Sequence, residues 1–157
     1  METKSAIKAI ELRFTHPEAE VLYELEQATV GSAGMDLRAM LSEPLKLLPG
    51  DCVKVSSGVS IWIQDPSLVG YVYPRSGLGH KHGIVLGNGV GVIDSDYTGE
   101  ILLSLWNRSQ NEYTISPGER VAQLVIQPIF KTNFTRVSEF SAQTARGSGG
   151  FGHTGQT

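Results

Sequence analysis

Short runs of alternating hydrophobic and polar residues recur along most of the 157-residue chain. Near the N-terminus, Leu12 and Phe14 alternate with charged residues. Successive side chains of a β-strand point to opposite faces, so a period of two with many β-branched residues predicts half-buried strands. The runs with this period are Ile10, Leu12 and Phe14; Val53 and Val55; Val59, Ile61 and Ile63; Tyr71 and Tyr73; Ile101, Leu103 and Leu105; and Ala122, Leu124 and Ile126.

Short segments rich in glycine, proline, serine and asparagine separate these runs, as expected where a chain changes direction. Many short strands at close spacing predict an all-β fold, a jelly-roll-like barrel or sandwich. The turn signals are Pro49-Gly50, Ser57-Gly58, Asp65-Pro66, Gly87-Asn88-Gly89 and Ser116-Pro117-Gly118.

One stretch departs from the strand period. Residues 18–27 have a helical composition, and Thr15 and Glu18 have the spacing of a capping box, which favours a helix start. Pro17 is tolerated in the first turn of a helix, but it directs His16 away from helical geometry. For this stretch the sequence leaves both a short helix and a loop open.

The composition changes near the C-terminus. Between Ser141 and Thr157 the only large apolar residue is Phe151, and five glycines fall among the last eleven residues. We therefore expect one β-rich domain over residues 1–140 and a glycine-rich arm over residues 141–157. The arm is either a disordered terminus or a lid over a phosphorylated ligand, since residues 146–152 combine a cation, a hydroxyl, bare amides and an aromatic ring.

Charge and composition exclude several classes of function. A net charge of -3 has the wrong sign for a protein held on nucleic acid by a general basic field. No run approaches the ~20 apolar residues that cross a membrane, and the first residues lack an apolar signal core, so we expect a cytoplasmic protein. Cys52 is the only cysteine, and we interpret it as a small core side chain.

Two segments carry groups suited to phosphate and metal. Asp36 lies in a predicted strand; it is either a surface carboxylate or, near phosphates, an anchor for Mg²⁺, which prefers oxygen ligands and keeps waters. Arg75, Ser76 and Gly77 follow a predicted strand and offer a bidentate fork, a hydroxyl and an anion-binding nest of amides. Such loops also occur as plain turns.

The run Gly87–Gly99 is the most informative. It predicts a glycine-rich β-hairpin followed by an acidic turn. Asn88 brings both donor and acceptor groups for the edge of a base, and Tyr97 can stack on a sugar or base. Asp94 and Asp96 are two residues apart, so in an extended segment they share a face. Further along, Gln123 alternates with apolar neighbours and is expected to point away from the apolar face.

Taken together, these segments resemble the dUTPase family in order and spacing, from about Gly31 to the C-terminus. The resemblance implies a β-rich homotrimer whose active sites form at subunit interfaces. It also implies magnesium-dependent hydrolysis of dUTP to dUMP and pyrophosphate, which keeps uracil out of DNA and supplies dUMP for thymidylate synthesis. The segments that carry it are Ala33–Ala39, Pro74–Ile84, Gly87–Gly99, Gly118–Gln123 and Arg146–Gly155.

The same resemblance implies a role for each matching residue. Asp94 would orient and deprotonate the attacking water and bind the deoxyribose hydroxyl, and Tyr97 would pack under the sugar and exclude a ribose hydroxyl. Asn88 and the backbone of Gly91, Val92 and Ile93 would bind uracil beside Leu102. Phosphates would be held by Arg75, Ser76, Gly77 and Gln123, and the arm would contribute Arg146, Ser148, Gly149 and Phe151. Asp36 would anchor magnesium through water.

Two alternatives share the expected fold. A dCTP deaminase needs a glutamate on the strand after the acidic turn, but Ser104 stands at that position. A non-catalytic nucleotide-binding module would have no need of Asp94 or of the arm sequence. Both alternatives are therefore weaker than dUTP hydrolysis.

Overall fold

The computed structural model describes residues 9–23 and 29–148, which form ten β-strands and two short α-helices. Every run with a period of two lies in a strand or directly beside one, so the all-β prediction is confirmed. In chain order the elements are β1 (Glu11–Phe14), α1 (Pro17–Leu22), β2 (Met35–Arg38), β3 (Leu45–Leu47), β4 (Cys52–Trp62), β5 (Leu68–Pro74), α2 (Ser76–His82), β6 (Ile84–Leu86), β7 (Gly91–Ile93), β8 (Glu100–Asn107), β9 (Tyr113–Ile115) and β10 (Arg120–Pro128).

The strands form two four-stranded antiparallel sheets and one two-stranded sheet. The first sheet has the order β1-β4-β8-β6, the second has the order β2-β10-β5-β7, and β3 pairs with β9. Strands that follow each other in the chain often lie in different sheets, as β4 and β5 do. This connectivity agrees with the predicted jelly-roll-like architecture.

Both large sheets contribute to one hydrophobic core. Leu37 and Leu124 enter it from the second sheet, and Val59, Leu103 and Leu105 enter it from the first. Burying a side chain of this size contributes roughly 1.5–3 kcal/mol. The core therefore fixes the strands whose ends and edges carry the candidate residues.

The turn expected at Ser57-Gly58 is wrong. β4 runs unbroken through both residues, and its pairing with β8 shifts register between Ser56 and Ser60. Gly58 has a φ of +76°, and a Cβ there would lie 2.6 Å from the Met40 Cγ. A β-bulge uses a glycine in this conformation, so the glycine signal marks a bulge rather than a reversal of the chain.

The β-hairpin expected around Gly87–Gly89 is also wrong. A turn does occur there, closed by a hydrogen bond from the Gly89 N–H to the Leu86 carbonyl of 3.0 Å. However, β6 before the turn pairs with β8, whereas β7 after it pairs with β5. The glycine-rich segment therefore crosses from one sheet to the other.

Helix α1 begins at Pro17, just before the stretch for which the sequence leaves a short helix open, but it lacks the expected side-chain cap. His16 is the N-cap residue with φ −129° and ψ 138°, the extended geometry predicted for a residue before proline. The capping box between Thr15 and Glu18 does not form, because the N-cap is His16 and Thr15 therefore lies one residue before the cap. The Thr15 hydroxyl donates to Glu100. Of the stretch 18–27, residues 24–28 lie outside the described part of the chain.

The interpretation of Cys52 as a core side chain is wrong, since the residue is exposed. It opens β4 opposite Trp106, with its Sγ 3.5 Å from the Ser104 Oγ. Among the described residues, no helix is long and apolar enough to cross a membrane.

Candidate active site

A cleft of about 260 Å³ lies between β7, the acidic turn that follows it, and β8. Its wall includes Glu100 and Ser104 from β8. The cleft also gathers seven of the residues that the sequence singled out, and these are Asn88, Gly91, Val92, Ile93, Asp94, Tyr97 and Leu102.

Asp94 is the first residue after β7, where the buried side chain of Ile93 anchors the strand end in the core. The Tyr97 N–H donates to the Asp94 carbonyl over 3.1 Å and closes a turn. The expectation that Asp94 and Asp96 share a face of an extended segment is therefore wrong, because the chain turns between them. Asp94 lines the cleft and is exposed to solvent, so its carboxylate can hold a water there.

Tyr97 is held against the backbone at the start of β8. Its hydroxyl donates to the Glu100 carbonyl over 2.8 Å, and its ring lies over Gly99. A Cβ at Gly99 would lie 2.5 Å from the Tyr97 Oη and 2.7 Å from its Cζ. Only a glycine lets the ring take this position, and Tyr97 remains 42% exposed.

Among residues 9–23 and 29–148, no strand pairs with the outer edge of β7. β7 is the last strand of its sheet and, within the described part of the chain, pairs only with β5, through Gly91 opposite Val72 and Ile93 opposite Gly70. An edge strand presents unpaired N–H and C=O groups, which can hydrogen-bond the edge of a flat base. A Cβ at Gly91 would lie 3.0 Å from the Val72 Cβ, so glycine allows the close pairing.

A second group of candidate residues surrounds Asp36. The Arg75 Nε lies 3.0 Å from the Asp36 Oδ1, and the Arg120 Nη1 lies 3.3 Å from the Asp36 Oδ2. The register of β2 on β10 sets Gln123 opposite Asp36, and the Gln123 Nε2 donates to the Pro74 carbonyl over 3.2 Å. Gln123 is half-buried between apolar neighbours, so it points away from the apolar face as expected.

Arg120 is a member of this group that the sequence reasoning missed. It lies at the start of β10, three residues before Gln123. Its place beside Asp36 depends on the pairing of β10 with β2, where the register shifts between Arg120 and Ala122. Only its position within the Gly118–Gln123 segment could have suggested a role.

The loop expected at Ser76 and Gly77 is the first turn of helix α2. Arg75 is the N-cap, and the Gly79 N–H donates to its carbonyl over 2.9 Å. The first N–H groups of a helix have no partner within it, so they can serve an anion as a nest would. Ser76 and Gly77 are exposed, and the space beside Gly77 is open.

Two of the predicted arm residues are described and two are not. Arg146 and Ser148 are exposed and lie in a turn around Gly147, whereas Gly149 and Phe151 lie outside the described residues. The cleft beside β7 is lined neither by the group around Asp36 nor by the described part of the arm. Within one chain the candidate residues therefore form separate groups.

No cluster of three or more His, Cys, Asp or Glu side chains in residues 9–23 and 29–148 could hold a metal ion. Asp36 has an arginine at each oxygen, yet its side chain remains 32% exposed. A carboxylate oxygen has more than one acceptor site, so Asp36 can still accept from water. This environment fits magnesium that arrives on a triphosphate and is held through water.

Comparison with known proteins gives consistent results. A sequence model of the dUTPase family matches residues 24–155. The deoxyuridine 5'-triphosphate nucleotidohydrolase of Alcanivorax borkumensis is 60% identical over 129 residues, which cover 82% of this chain and 85% of that protein. The protein of the same name from Escherichia coli (strain K12 / DH10B) is 51% identical over 151 residues, covering 96% and 99% of the two chains.

Solved structures agree on the fold. The dUTPase of Staphylococcus bacteriophage 80alpha with dUPNHPP is 25% identical and superposes with a TM-score of 0.81, covering 95% of this chain and 99% of that one. A variant dUTPase from phage phi11 of S. aureus, described with a structural Mg(II) ion, is 22% identical with a TM-score of 0.73 and coverage of 86% and 100%.

Proposed function

The chain belongs to the dUTPase family, and we propose on this basis that it is an enzyme that hydrolyses dUTP to dUMP and pyrophosphate. The cleft beside β7 is the observation that carries the proposal. It combines a solvent-facing carboxylate, Asp94, with the tyrosine ring of Tyr97 and the outer edge of strand β7. These are the groups that a water, a sugar and a flat base require.

Asp94 is the catalytic base of the proposed reaction. Its carboxylate accepts a proton from a water molecule, whose oxygen attacks the α-phosphorus in line. A P–O bond forms on one side while the bond to the bridging oxygen breaks on the other, and pyrophosphate leaves. A positioned base of this kind typically contributes ~10²–10⁴-fold to the rate. The same carboxylate would accept a hydrogen bond from the deoxyribose hydroxyl.

Base and sugar are selected by different parts of the cleft. Asn88 and the backbone of Gly91, Val92 and Ile93 would bind uracil, and a cytosine there would leave buried polar groups mispaired. Leu102 would line the base pocket. Tyr97 would fill the space under the sugar, which leaves no room for a ribose hydroxyl.

The triphosphate would be held by the second group of residues. Arg75 offers a guanidinium and Ser76 a hydroxyl beside the exposed amide of Gly77, and Gln123 lies on the adjacent strand. Arg146, Ser148 and Gly149 would close over the outer phosphates, with Phe151 stacked on the base. These residues belong to the arm over residues 141–157, which follows the catalytic domain over residues 1–140.

Magnesium is the proposed cofactor of the reaction. Asp36 would hold it through water, and the ion would offset negative charge on the triphosphate when bound. Asp36 also fixes Arg75 through an ion pair of 3.0 Å, so the same carboxylate orients a phosphate-binding group. The partial exposure of Asp36 supports a water-mediated role.

Association into a homotrimer would bring the separate groups together. Leu102 and Trp106 project from the same face of β8 and are 53% and 39% exposed. Past β10, Phe130, Phe134 and Phe140 are almost fully exposed, and exposed apolar groups of this size favour a partner surface. Light scattering is expected to give three times the chain mass of 17.0 kDa.

We also propose a cytoplasmic location, which cell fractionation would test.

The substrate assignment is tested by measuring pyrophosphate release from dUTP, dCTP, dTTP and UTP in the presence of magnesium. We expect turnover of dUTP and little of the other three. Turnover of dCTP or dTTP at the rate of dUTP would contradict the proposed selection of uracil. Release of ammonia from dCTP would instead indicate a deaminase, although Ser104 on the wall of the cleft supplies no carboxylate for that reaction.

A further inference from the structure

Glu100 joins the N-terminal segment of the chain to the cleft. Its Oε1 accepts hydrogen bonds from the Thr15 Oγ1 (2.9 Å), the Gly58 N–H (3.1 Å) and the Ser56 Oγ. The His16 Nε2 lies 3.1 Å from the Ser56 Oγ and 3.7 Å from the same carboxylate oxygen. One oxygen thus binds the segment before α1 to the bulge of β4.

The backbone of the same residue contacts the cleft. The Glu100 carbonyl accepts the hydrogen bond from the Tyr97 hydroxyl, over 2.8 Å, and Glu100 lines the cleft beside Tyr97. The Tyr97 ring also lies against Gly99, where a Cβ would come within 2.5 Å of the tyrosine hydroxyl oxygen. The position of the tyrosine ring therefore depends on where the first residue of β8 is held.

The hydrogen bonds to the Glu100 carboxylate are strong enough to hold the start of β8 in place. Hydrogen bonds to an ionised group are shorter and stronger than those between neutral groups. Burial raises the pKa of Glu100, but the hydrogen bonds from Ser56, Thr15 and Gly58 and the charge of His16 outweigh it and lower the pKa overall. The side chain is 26% exposed, so water competes only in part for its acceptor oxygen.

We infer that Glu100 is a positioning residue for sugar selection, which fixes the Tyr97 ring by binding the N-terminal segment and the β4 bulge to the start of β8. The inference rests on the proposed function, because it concerns the choice between dUTP and UTP. The two substrates differ by one hydroxyl group. Rejecting that hydroxyl by contact requires a ring that does not yield, since a displacement of about 1 Å changes rates by orders of magnitude.

Two substitutions of Glu100 separate its contacts from its charge. Glu100→Ala removes the acceptor oxygen, and the ratio of kcat/KM for UTP to kcat/KM for dUTP is expected to rise by about tenfold, which is in the range that one small group contributes to selection. In Glu100→Gln the amide oxygen can accept the same three hydrogen bonds, so the ratio is expected to stay close to that of the wild type. Glu112→Ala, which removes the exposed partner of Lys46, is the matched control.

A purely structural role predicts a different result. It would lower kcat/KM for both nucleotides equally and leave the UTP-to-dUTP ratio unchanged in Glu100→Ala, and this outcome would overturn the inference. In a Tyr97→Phe background the effect of Glu100→Ala on the ratio should be lost, because the tyrosine hydroxyl that transmits it is absent. A full tenfold change in that background would also contradict the inference.

Failure of Glu100→Ala to fold and failure of the proposed function can each be distinguished from failure of the role inferred for Glu100. If Glu100→Ala does not fold, Thr15→Val removes one donor to the carboxylate, and an unchanged ratio in that variant would overturn the inference. If the wild-type protein does not hydrolyse dUTP, the proposed function itself fails. Hydrolysis of dUTP by the wild type, with no change of ratio in Glu100→Ala, would instead refute only the role of Glu100.

Discussion

Replacing Gly99 by alanine is expected to damage the sugar site while the fold persists. A Cβ at this position would lie 2.5 Å from the Tyr97 Oη, 2.7 Å from the Cζ and 3.0 Å from the Cε2. Non-bonded heavy atoms rest at about 3.5–4.0 Å, so the ring has to move by about 1 Å. The ring is 42% exposed and can move outward into solvent, which avoids strain in the core.

The cost of that movement follows from the contacts of Tyr97. The hydrogen bond of 2.8 Å to the Glu100 carbonyl would be lost, at a net cost of about 0.5–1.5 kcal/mol. A displacement of about 1 Å at a substrate-positioning group can lower a rate by ~10²-fold. We therefore expect kcat/KM for dUTP to fall by about 10²-fold, with a smaller fall for UTP.

The assay is steady-state pyrophosphate release from both nucleotides, with the melting temperature measured in parallel. Gly31→Ala is the matched control, because a Cβ at Gly31 would meet nothing within 4 Å. An alanine at Gly99 that leaves kcat/KM for dUTP within about threefold of the control would refute this account of Tyr97.

Three further predictions concern the arm, the core and the metal. Truncation after Phe140 should leave a folded trimer with ~10²-fold lower activity, and a monomeric or unfolded product would mean that the arm is structural. Tyr23→Phe should lower the free energy of unfolding by about 1–3 kcal/mol at pH 7, because the hydroxyl donates to the Ser57 carbonyl and accepts from the Arg38 N–H. Burial raises the pKa of Tyr23 from 10.0 to about 12. The contribution of Tyr23 to the free energy of unfolding is therefore complete below pH 10.0 and lost as the pH rises through about 12. Urea unfolding should show this loss in the wild type and not in Tyr23→Phe. Chelation of magnesium should lower kcat by ~10²-fold or more and leave the melting temperature unchanged, whereas a lower melting temperature would indicate a structural ion.

The strands could be predicted because their signal is local. In β8 the side chains of Ile101, Leu103 and Leu105 are buried. The residues between them, Leu102 and Ser104, are not buried, as the period of two requires. The same signal does not specify partners, so the sequence could not reveal that β6 and β7 belong to different sheets. A glycine likewise permits a positive φ in a turn or in a bulge, so the sequence alone does not distinguish a turn from a bulge at Gly58.

For the candidate site too, residues that are close together in the chain were predictable, and residues that meet only through the fold were not. Asp94, Tyr97 and Asn88 follow each other closely in the chain, and the structure brings them to one cleft. Arg120 and Glu100 gain their contacts only through pairing between distant segments, since Arg120 meets Asp36 and Glu100 meets Thr15. No spacing along the chain records such contacts.

Side-chain exposure was the least predictable property. Cys52 reads as a small hydrophobic residue, but the pairing of β4 with β8 sets it on the outward face beside Trp106. Thr15 has the spacing of a helix cap, yet the helix begins one residue later with His16 as its N-cap, and the Thr15 hydroxyl donates to Glu100.

The most direct test of the account compares Asp94→Asn with Asp96→Asn in the hydrolysis of dUTP. Both changes remove one negative charge from the same turn, but only Asp94 lines the cleft. Asp94→Asn is expected to bind dUTP with nearly unchanged affinity and to lose ~10²–10⁴-fold in kcat, while Asp96→Asn stays close to the wild type. Wild-type turnover in Asp94→Asn would contradict the assignment of Asp94 as the base that activates water.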